Sequence, residues 1–456
     1  MRAWYLCVLA ACGGGGSTTK LPEWDKTLPS ASAMGSWRGL TPVRGIIHLH
    51  SPYSHDACDG MPQPGGAPNE PCLDHLRKAL CTTKIDYAAL TDHDDSMADR
   101  EWTELFNMRG TDQKVMNAAG DQIASRITCD DGHQVFVAVG GENELMPIML
   151  DHHVPGTVAE RHDAYNADDP AAAATLRAAG GLVWIPHLES RTLDHLLEIA
   201  PDGIEVYNLH ANIDPKLRPL LGLPAGDAVS NAVEFADTNE GHPEPDLALL
   251  SFLEPSPPAV EKWNALLAMG RKIPASAGSD AHENALPVML ADGERGDAYR
   301  RVLRWFGNIA LVADPTNVEQ IEAALKAGRM FAVFEMMGTP AGFDIHATTA
   351  TGTAELGETV PVGSTLEIDV PTVRNLDPSL PAPEIAATVW FVDATGATVA
   401  ATGAGAHLSV PMSNKGAYRV EISITPHHLG PYLRDLGTGF ADRQLPWIYA
   451  SPVYAE

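Results

Sequence analysis

Gly45-Ile46-Ile47-His48-Leu49-His50 is a short apolar run that ends in two histidines one residue apart. Side chains of a strand alternate between its faces, so this spacing puts both imidazoles on one side, where they can clasp a single ion. The figure recurs downstream. The run 87–90 ends in Thr91-Asp92-His93-Asp94, 135–139 in Gly140-Gly141-Glu142-Asn143-Glu144 and 182–185 in Pro186-His187. The run 203–206 leads to Tyr207-Asn208, and 273–277 to Gly278-Ser279-Asp280-Ala281-His282. A lone histidine or aspartate at such a place ordinarily caps a helix or forms a turn. Capping needs neither imidazole nor a repeated strand-end position, so the recurrence points to one shared site. Asp280 and His282 repeat the spacing of His48 and His50, and an oxygen paired with a nitrogen suits zinc, manganese or iron better than calcium.

Between these runs lie helical stretches at 72–80, 96–106, 171–179, 193–199, 259–269 and 317–326, followed by a strand-like run at 330–334. Alternation of this kind marks an α/β domain, expected over residues 43–335. In a barrel of parallel strands the C-terminal strand ends converge on one face, where such folds carry their active sites. Beyond Met337 the pattern changes to short alternating strands at 342–346, 365–370, 387–392, 407–410 and 418–424, with Gly, Thr and Pro between them. Residues 336–456 therefore read as a small all-β, sandwich-like domain.

The chain has 456 residues, 45% hydrophobic and 20% charged, with a net charge of −28. Such acidity argues against general binding of nucleic acid or anionic lipid through charge. Arg2 followed by an apolar run and Leu9-Ala10-Ala11-Cys12 looks like a secretory signal with a bacterial lipobox, over residues 1–12. Cys12 would be lipidated, and residues 13–42, opening on GGGGS, would form a flexible linker. This predicts an exported, lipid-anchored protein at the outer membrane, facing the periplasm or the cell surface. Cys58, Cys72, Cys81 and Cys129 would then sit in a compartment that permits disulfides, with three pairings open and free thiols the alternative.

The segments HLHSPYSHDA (48–57), ALTDHD (89–94), IPH (185–187) and GSDAH (278–282), with GGENE (140–144) and GIEVYN (203–208) between them, resemble in order and spacing the PHP (polymerase and histidinol phosphatase) family. The resemblance covers about residues 43–334. It implies a distorted (β/α)7 barrel holding two or three divalent metal ions, zinc, manganese or iron. It implies His48, His50, Glu142 and Asp280 around the first ion, with Glu142 bridging to a second held by His187 and by His152 or His153. A third ion would take Asp56, His93 and His282, with His55 the alternative to Asp56.

The activity so implied is metal-assisted hydrolysis of a phosphate ester on a small phosphorylated substrate, by a water activated between ions. Asp92 and Glu189, beside ligand candidates, would orient a ligand or carry a proton. Arg161 and Arg191 are candidates for phosphate contact, and the Pro- and Gly-rich insert 58–72 for part of a lid. Hydrolysis of an amide or carboxyl ester is the second reading, set back by the lack of a lysine among the strand ends. A non-catalytic binding lipoprotein is the third.

Overall fold

Tyr87–Leu90 is buried along its whole length, the pattern of a strand covered on both faces, and it forms the middle of a mixed sheet. The computed structural model describes residues 21–93, 97–223, 232–239 and 241–456. The expected signal segment and the lipobox at Cys12 lie outside the described residues. In chain order the strands are β1 (Thr41–Ile46), β2 (Tyr87–Leu90), β3 (Gln113–Met116), β4 (Gln122–Thr128), β5 (Gln134–Val139) and β6 (Met146–Ile148). They continue as β7 (Leu182–Ile185), β8 (Gly203–Asn208), β9 (Ala275–Gly278), β10 (Gly307–Val312) and β11 (Met330–Val333).

The fold is α/β, but its strands form two sheets rather than one closed ring. In the larger, β2 runs parallel to β1 and β5, while β10 lies antiparallel to β1 and β11 antiparallel to β10. In the smaller, β7, β8 and β9 are parallel and β6 is antiparallel to β7. β10 occupies the edge of β1 where β9 would pair in a barrel, so β1 and β9 meet only at the Leu49–Ala281 bridge beyond their ends. On the other side Pro147, which has no N–H to donate, sits in the three-residue β6, and the sheets join there through the Val139–Leu150 bridge. These two seams still bring the C-terminal ends of β1, β2, β5, β7, β8 and β9 together.

Local chemistry explains the helices that frame them. Asn69 and Asp169 cap Glu70–Thr82 and Pro170–Ala178 by accepting from Cys72 N and Ala172 N, with proline in the first turn of each. Val318–Ala327 starts on Asn317 and stops at Gly328, whose φ of 70° is left-handed. The helix expected at 96–106 does not run through that stretch: among its described residues Met97 is helical, a turn follows, and Trp102–Glu104 forms a single 3-10 turn before the hairpin of β3 and β4.

Two boundaries also differ from expectation. Residues 21–42 are not a free linker: Leu28, Ala31 and Met34 are buried, and Trp24 donates to Asp246 at 2.9 Å. The C-terminal region is β-rich as expected, yet it is not a detached sandwich. Leu445–Ala450 pairs antiparallel with β11, so the large sheet runs on into Gly416–Thr425 and Glu384–Asp393. A second sheet of Gly352–Ala354, Asp344–Thr349, Thr365–Asp369 and His407–Pro411 completes the region. Among the described residues no helix is long and apolar enough to cross a membrane.

Arg44 of β1 and Glu335, at the junction of the two regions, are fully buried and joined by two hydrogen bonds of 2.5 and 2.8 Å. Breaking such a pair leaves a charge in the core, which costs about 3–5 kcal/mol. Glu335→Ala should therefore lower the unfolding free energy by about that amount. Equilibrium urea denaturation checks this; a loss under about 1 kcal/mol would mean that the junction relaxes around Arg44.

Candidate metal centre

Eight of the ten proposed metal ligands meet at the joined strand ends: His48, His50, Asp56, His93, Glu142, His187, Asp280 and His282. Their imidazoles are oriented by what holds the far ring nitrogen. His48 Nδ1 donates to Glu205 Oε1 at 2.9 Å, His93 Nδ1 to Glu142 O at 2.8 Å and His282 Nδ1 to Asp280 O at 2.7 Å. His50 Nδ1 bonds Ser54 Oγ at 3.0 Å, and Ser54 in turn donates to Asp56 Oδ1 at 2.9 Å. Fixing one nitrogen as donor turns the other, Nε2, into the site with its lone pair exposed, the arrangement of histidines that bind metals.

Those Nε2 atoms converge on carboxylates. His48 Nε2 stands 3.5 Å from both Glu142 Oε2 and Asp280 Oδ1, and His50 Nε2 stands 3.4 and 3.3 Å from the same two oxygens. An ion held at about 2.1 Å by tetrahedrally placed donors keeps them about 3.4 Å apart. The buried Nε2 atoms of His48, His50 and His282 find no aligned hydrogen-bond partner, a costly state that a cation would relieve. His48, His50, Glu142 and Asp280 form one group that could hold an ion, and His50, Asp56, His93 and His282 another. In the second, Asp56 Oδ2 lies 3.2 Å from His282 Nε2 and 3.7 Å from His93 Nε2. Asp56, rather than His55, enters the cluster; the His55 ring lies 5.0 Å from that of His93 and lines a surface hollow with Gly60–Pro64 of the insert.

The backbone is strained where it matters. His187 and Asp280 have φ of 48° and 50°, left-handed values that cost a residue with a Cβ on the order of 1 kcal/mol or more and that cluster at functional sites. Gly278 precedes Asp280 for a steric reason: a Cβ there would meet Glu205 Oε1 at 2.1 Å. The glycine makes room for the carboxylate that orients His48.

His152 and His153 are the correction. His152 Nδ1 donates to His153 O, and His153 is buried between Tyr165 and the Arg100 carbonyl, 3.1 and 3.0 Å from its two nitrogens. Burial pushes the His153 pKa down to about 4, so it is a neutral core residue; neither histidine joins the cluster. Asp92 acts on the backbone next to a candidate ligand rather than on a ligand side chain. Both its oxygens accept from Ser51, from N at 2.6 Å and Oγ at 2.7 Å, so it braces the turn after His50. Glu189 does face a ligand, at 3.3 Å from His187 Nδ1. Arg191 is paired with Glu144, and Arg161 stands on the His153 side.

Sequence reasoning missed Glu205 and His210, the second of which forms with Asp280 and His282 a further group that could hold an ion. Both belong to GIEVYNLH (203–210). Glu205 reads as one more buried strand position, and His210 lies past the strand end, on the helix Leu209–Ile213.

Charge balance within the cluster is protonic when no ion is bound. Burial opposes charge on His93, yet Asp56 and Glu142 hold its pKa up to about 9. His48 and His187 are likewise raised against burial by the carboxylates, and Glu142 and Asp280 are held low by the histidines despite theirs. The sign of the linkage follows. A histidine raised from 6.5 to about 9 contributes stability that is complete below 6.5 and lost as pH rises toward 9. An ion must displace those protons, so its affinity rises over the same interval. The melting temperature of the chelated chain should fall from pH 6.5 to 9 while the shift on adding Zn2+ grows; two parallel curves would refute the exchange.

No protein-family model and no curated protein matches the sequence. Among solved structures, the chain aligns with a two-domain protein containing a predicted PHP-like metal-dependent phosphoesterase from Bacteroides vulgatus, at 11% identity and a TM-score of 0.35, over 94% of this chain and 99% of that one. It aligns with the lesion-specific endonuclease PfuEndoQ from Pyrococcus furiosus at 13% identity and a TM-score of 0.33, over 69% and 64% of the two chains. It also aligns with PsfC from Pseudomonas syringae at 13% identity and a TM-score of 0.30, over 59% and 82%. Likeness at this level establishes no activity for this chain, and the site geometry carries the functional reading.

Proposed function

We propose that the protein is an exported metal-dependent hydrolase acting on phosphate esters. The observation that carries the metal centre is the pair of four-residue groups sharing His50, with imidazole and carboxylate donors at the separations an ion requires. The phosphate ester rests on the motif resemblance. His48, His50, Glu142 and Asp280 would hold one ion, and Asp56, His93 and His282 another. Bound divalent ions supply a water acidic enough to lose its proton near neutral pH and neutralise charge growing on a phosphoryl group. The chain supplies the rest. Glu205 and Glu189 fix the rings of His48 and His187, Ser54 links His50 to Asp56, and the Asp92–Ser51 bonds hold the turn that presents His50. Residues 58–61 lie along 282–283 through Cys58 N to His282 O and Asp59 N to Glu283 O, so the insert flanks the opening.

The disulfides Cys58–Cys72 and Cys81–Cys129 support export, since such bonds persist in oxidising compartments. Lipidation at Cys12 would tether the enzyme to the outer membrane, and Cys12→Ser should then shift it from the membrane to the soluble fraction. The test of the catalytic reading is elemental analysis for zinc, manganese and iron together with turnover of phosphomonoesters and phosphodiesters, beside His48→Ala and Asp280→Ala. Bound metal with turnover lost in both variants supports it. Metal with turnover of amides or carboxyl esters alone moves the substrate class, and no metal after reconstitution overturns the reading.

A further inference from the structure

A hollow of about 420 Å³ lies where residues 22–29, the Glu335 junction and the β-rich region meet, and none of the residues lining it is a candidate metal ligand. That volume is within the range of small-molecule sites. Much of the wall is apolar, with Trp24, Met336, Leu380, Leu429 and Tyr432 in it, and Trp24 meets Tyr432 edge to face at 5.1 Å. Three polar side chains of the same lining keep hydrogen-bonding capacity that the chain does not use. Arg374 donates to Ala33 O at 2.8 Å, forms no ion pair among the described residues, and has a buried Nε without a partner. Arg304, 8% exposed, donates to Asp25 O at 2.7 Å, meets the weak acceptor Met336 Sδ at 3.4 Å and lies 4.9 Å over the Trp24 ring. Its Nε is also unpartnered, with an Asp246 oxygen 4.0 Å away. His428 is the third. Its Nε2 donates to Met337 O at 3.0 Å and burial pushes its pKa down to about 4, so the ring is neutral and Nδ1 is an acceptor without a donor.

Leaving such groups unmatched is costly. The carboxylates of the lining do not match them: Glu335 is taken by Arg44, Asp25 and Asp377 accept from Thr27 and Ser379 in their own turns, and Glu23 is exposed. We infer that this hollow is a binding site for a small organic carboxylate with an apolar, hydroxyl-bearing body. Arg374 and Arg304 take the carboxylate, whose plane suits the guanidinium fork. The wall of Trp24, Leu380 and Leu429 covers the body, and the hydroxyl donates to His428 Nδ1. Each unmatched group thereby gains the partner its chemistry requires. The two arginines repel a cation of the same shape, so charge sets the selectivity. The site needs no ion at the strand ends and stands independently of the metal-dependent reading.

Calorimetric titration of the full chain with 4-hydroxyphenylacetate tests it. Tyramine, which keeps the ring and hydroxyl but carries an ammonium, and phenylacetate, which lacks the hydroxyl, are titrated alongside. The carboxylate should bind with a Kd below about 1 mM, phenylacetate about 10-fold more weakly, and tyramine not measurably. Arg374→Gln should weaken binding by about 10-fold or more, and Leu380→Trp, which fills the hollow without changing charge, should abolish it. His50→Ala should bind as the wild type does. Urea unfolding of each variant is followed, and if Arg374→Gln unfolds early, Leu380→Trp decides. No binding of 4-hydroxyphenylacetate, equal binding of tyramine, or wild-type affinity in Leu380→Trp overturns the inference. So does wild-type affinity in a folded Arg374→Gln. Loss of binding in His50→Ala overturns it as well, by placing the carboxylate on the metal centre.

Discussion

His50→Ala is expected to lower phosphoester turnover by at least about 1000-fold, or ~4 kcal/mol of transition-state stabilisation. His50 Nε2 stands 3.4 and 3.3 Å from Glu142 Oε2 and Asp280 Oδ1, so its removal empties one coordination position of the ion those two carboxylates would share. Its ring is fully buried and stacks on His282 at 3.8 Å, and Ala can replace neither the nitrogen nor the packing. The polar surroundings cannot close over the gap cheaply, since Glu142 and Asp280 would face each other across it with one cation donor fewer. Kinetics with saturating Zn2+ or Mn2+, beside a count of bound ions, reads the effect. A variant that keeps a tenth of wild-type turnover would show that the chemistry occurs elsewhere. The matched control is His152→Ala, which removes an imidazole of similar sequence prominence that lies outside the cluster and should change neither quantity.

That contrast shows what was legible in the sequence. The candidate ligands that the structure brings together sit at strand ends or in loops directly after them, where a period of two and a run boundary tell which way a side chain points. His48, His50, His93, Glu142, His187, Asp280 and His282 were all of this kind. His152 and His153 follow β6, a three-residue strand interrupted by Pro147, where alternation has too short a base to fix direction. Their fate was set by Tyr165 and the Arg100 carbonyl, which no local pattern announces. His210 carried a weak signal, two residues past Asn208, and helix formation at Leu209 broke the period that would have revealed it. The closed ring failed for a comparable reason. Residues 307–312 are apolar like the other runs but lead to no histidine or glutamate, only to Asp314, and the antiparallel pairing of β10 with β1 excludes β9 from that edge.

Loss of the two disulfides should have the largest effect on stability. Closing the Cys58–Cys72 and Cys81–Cys129 loops, with sequence separations of 14 and 48, restricts the unfolded chain by about 3 and about 4 kcal/mol in the loop-entropy account. Together these approach the whole net stability of an ordinary domain, about 5–15 kcal/mol. The two bonds should differ in what they do to the site. Cys81–Cys129 ties the end of Glu70–Thr82 to the segment after β4, away from the metal ligands. Cys58 lies two residues from Asp56 and donates its N–H to His282 O at 2.9 Å, so its disulfide ties a ligand-bearing turn, set by that bond against the segment after β9, to the start of Glu70–Thr82. Cys58→Ser/Cys72→Ser should therefore weaken ion binding at the Asp56, His93 and His282 group as well as stability, while Cys81→Ser/Cys129→Ser should lower stability and leave affinity unchanged in the folded chain. Urea denaturation in excess chelator, paired with Zn2+ titration under folding conditions, separates the two effects. Equal affinities in both double variants would mean that the neighbouring backbone hydrogen bonds suffice to place Asp56. The insert would then be a stabilising clasp with no part in assembling the site.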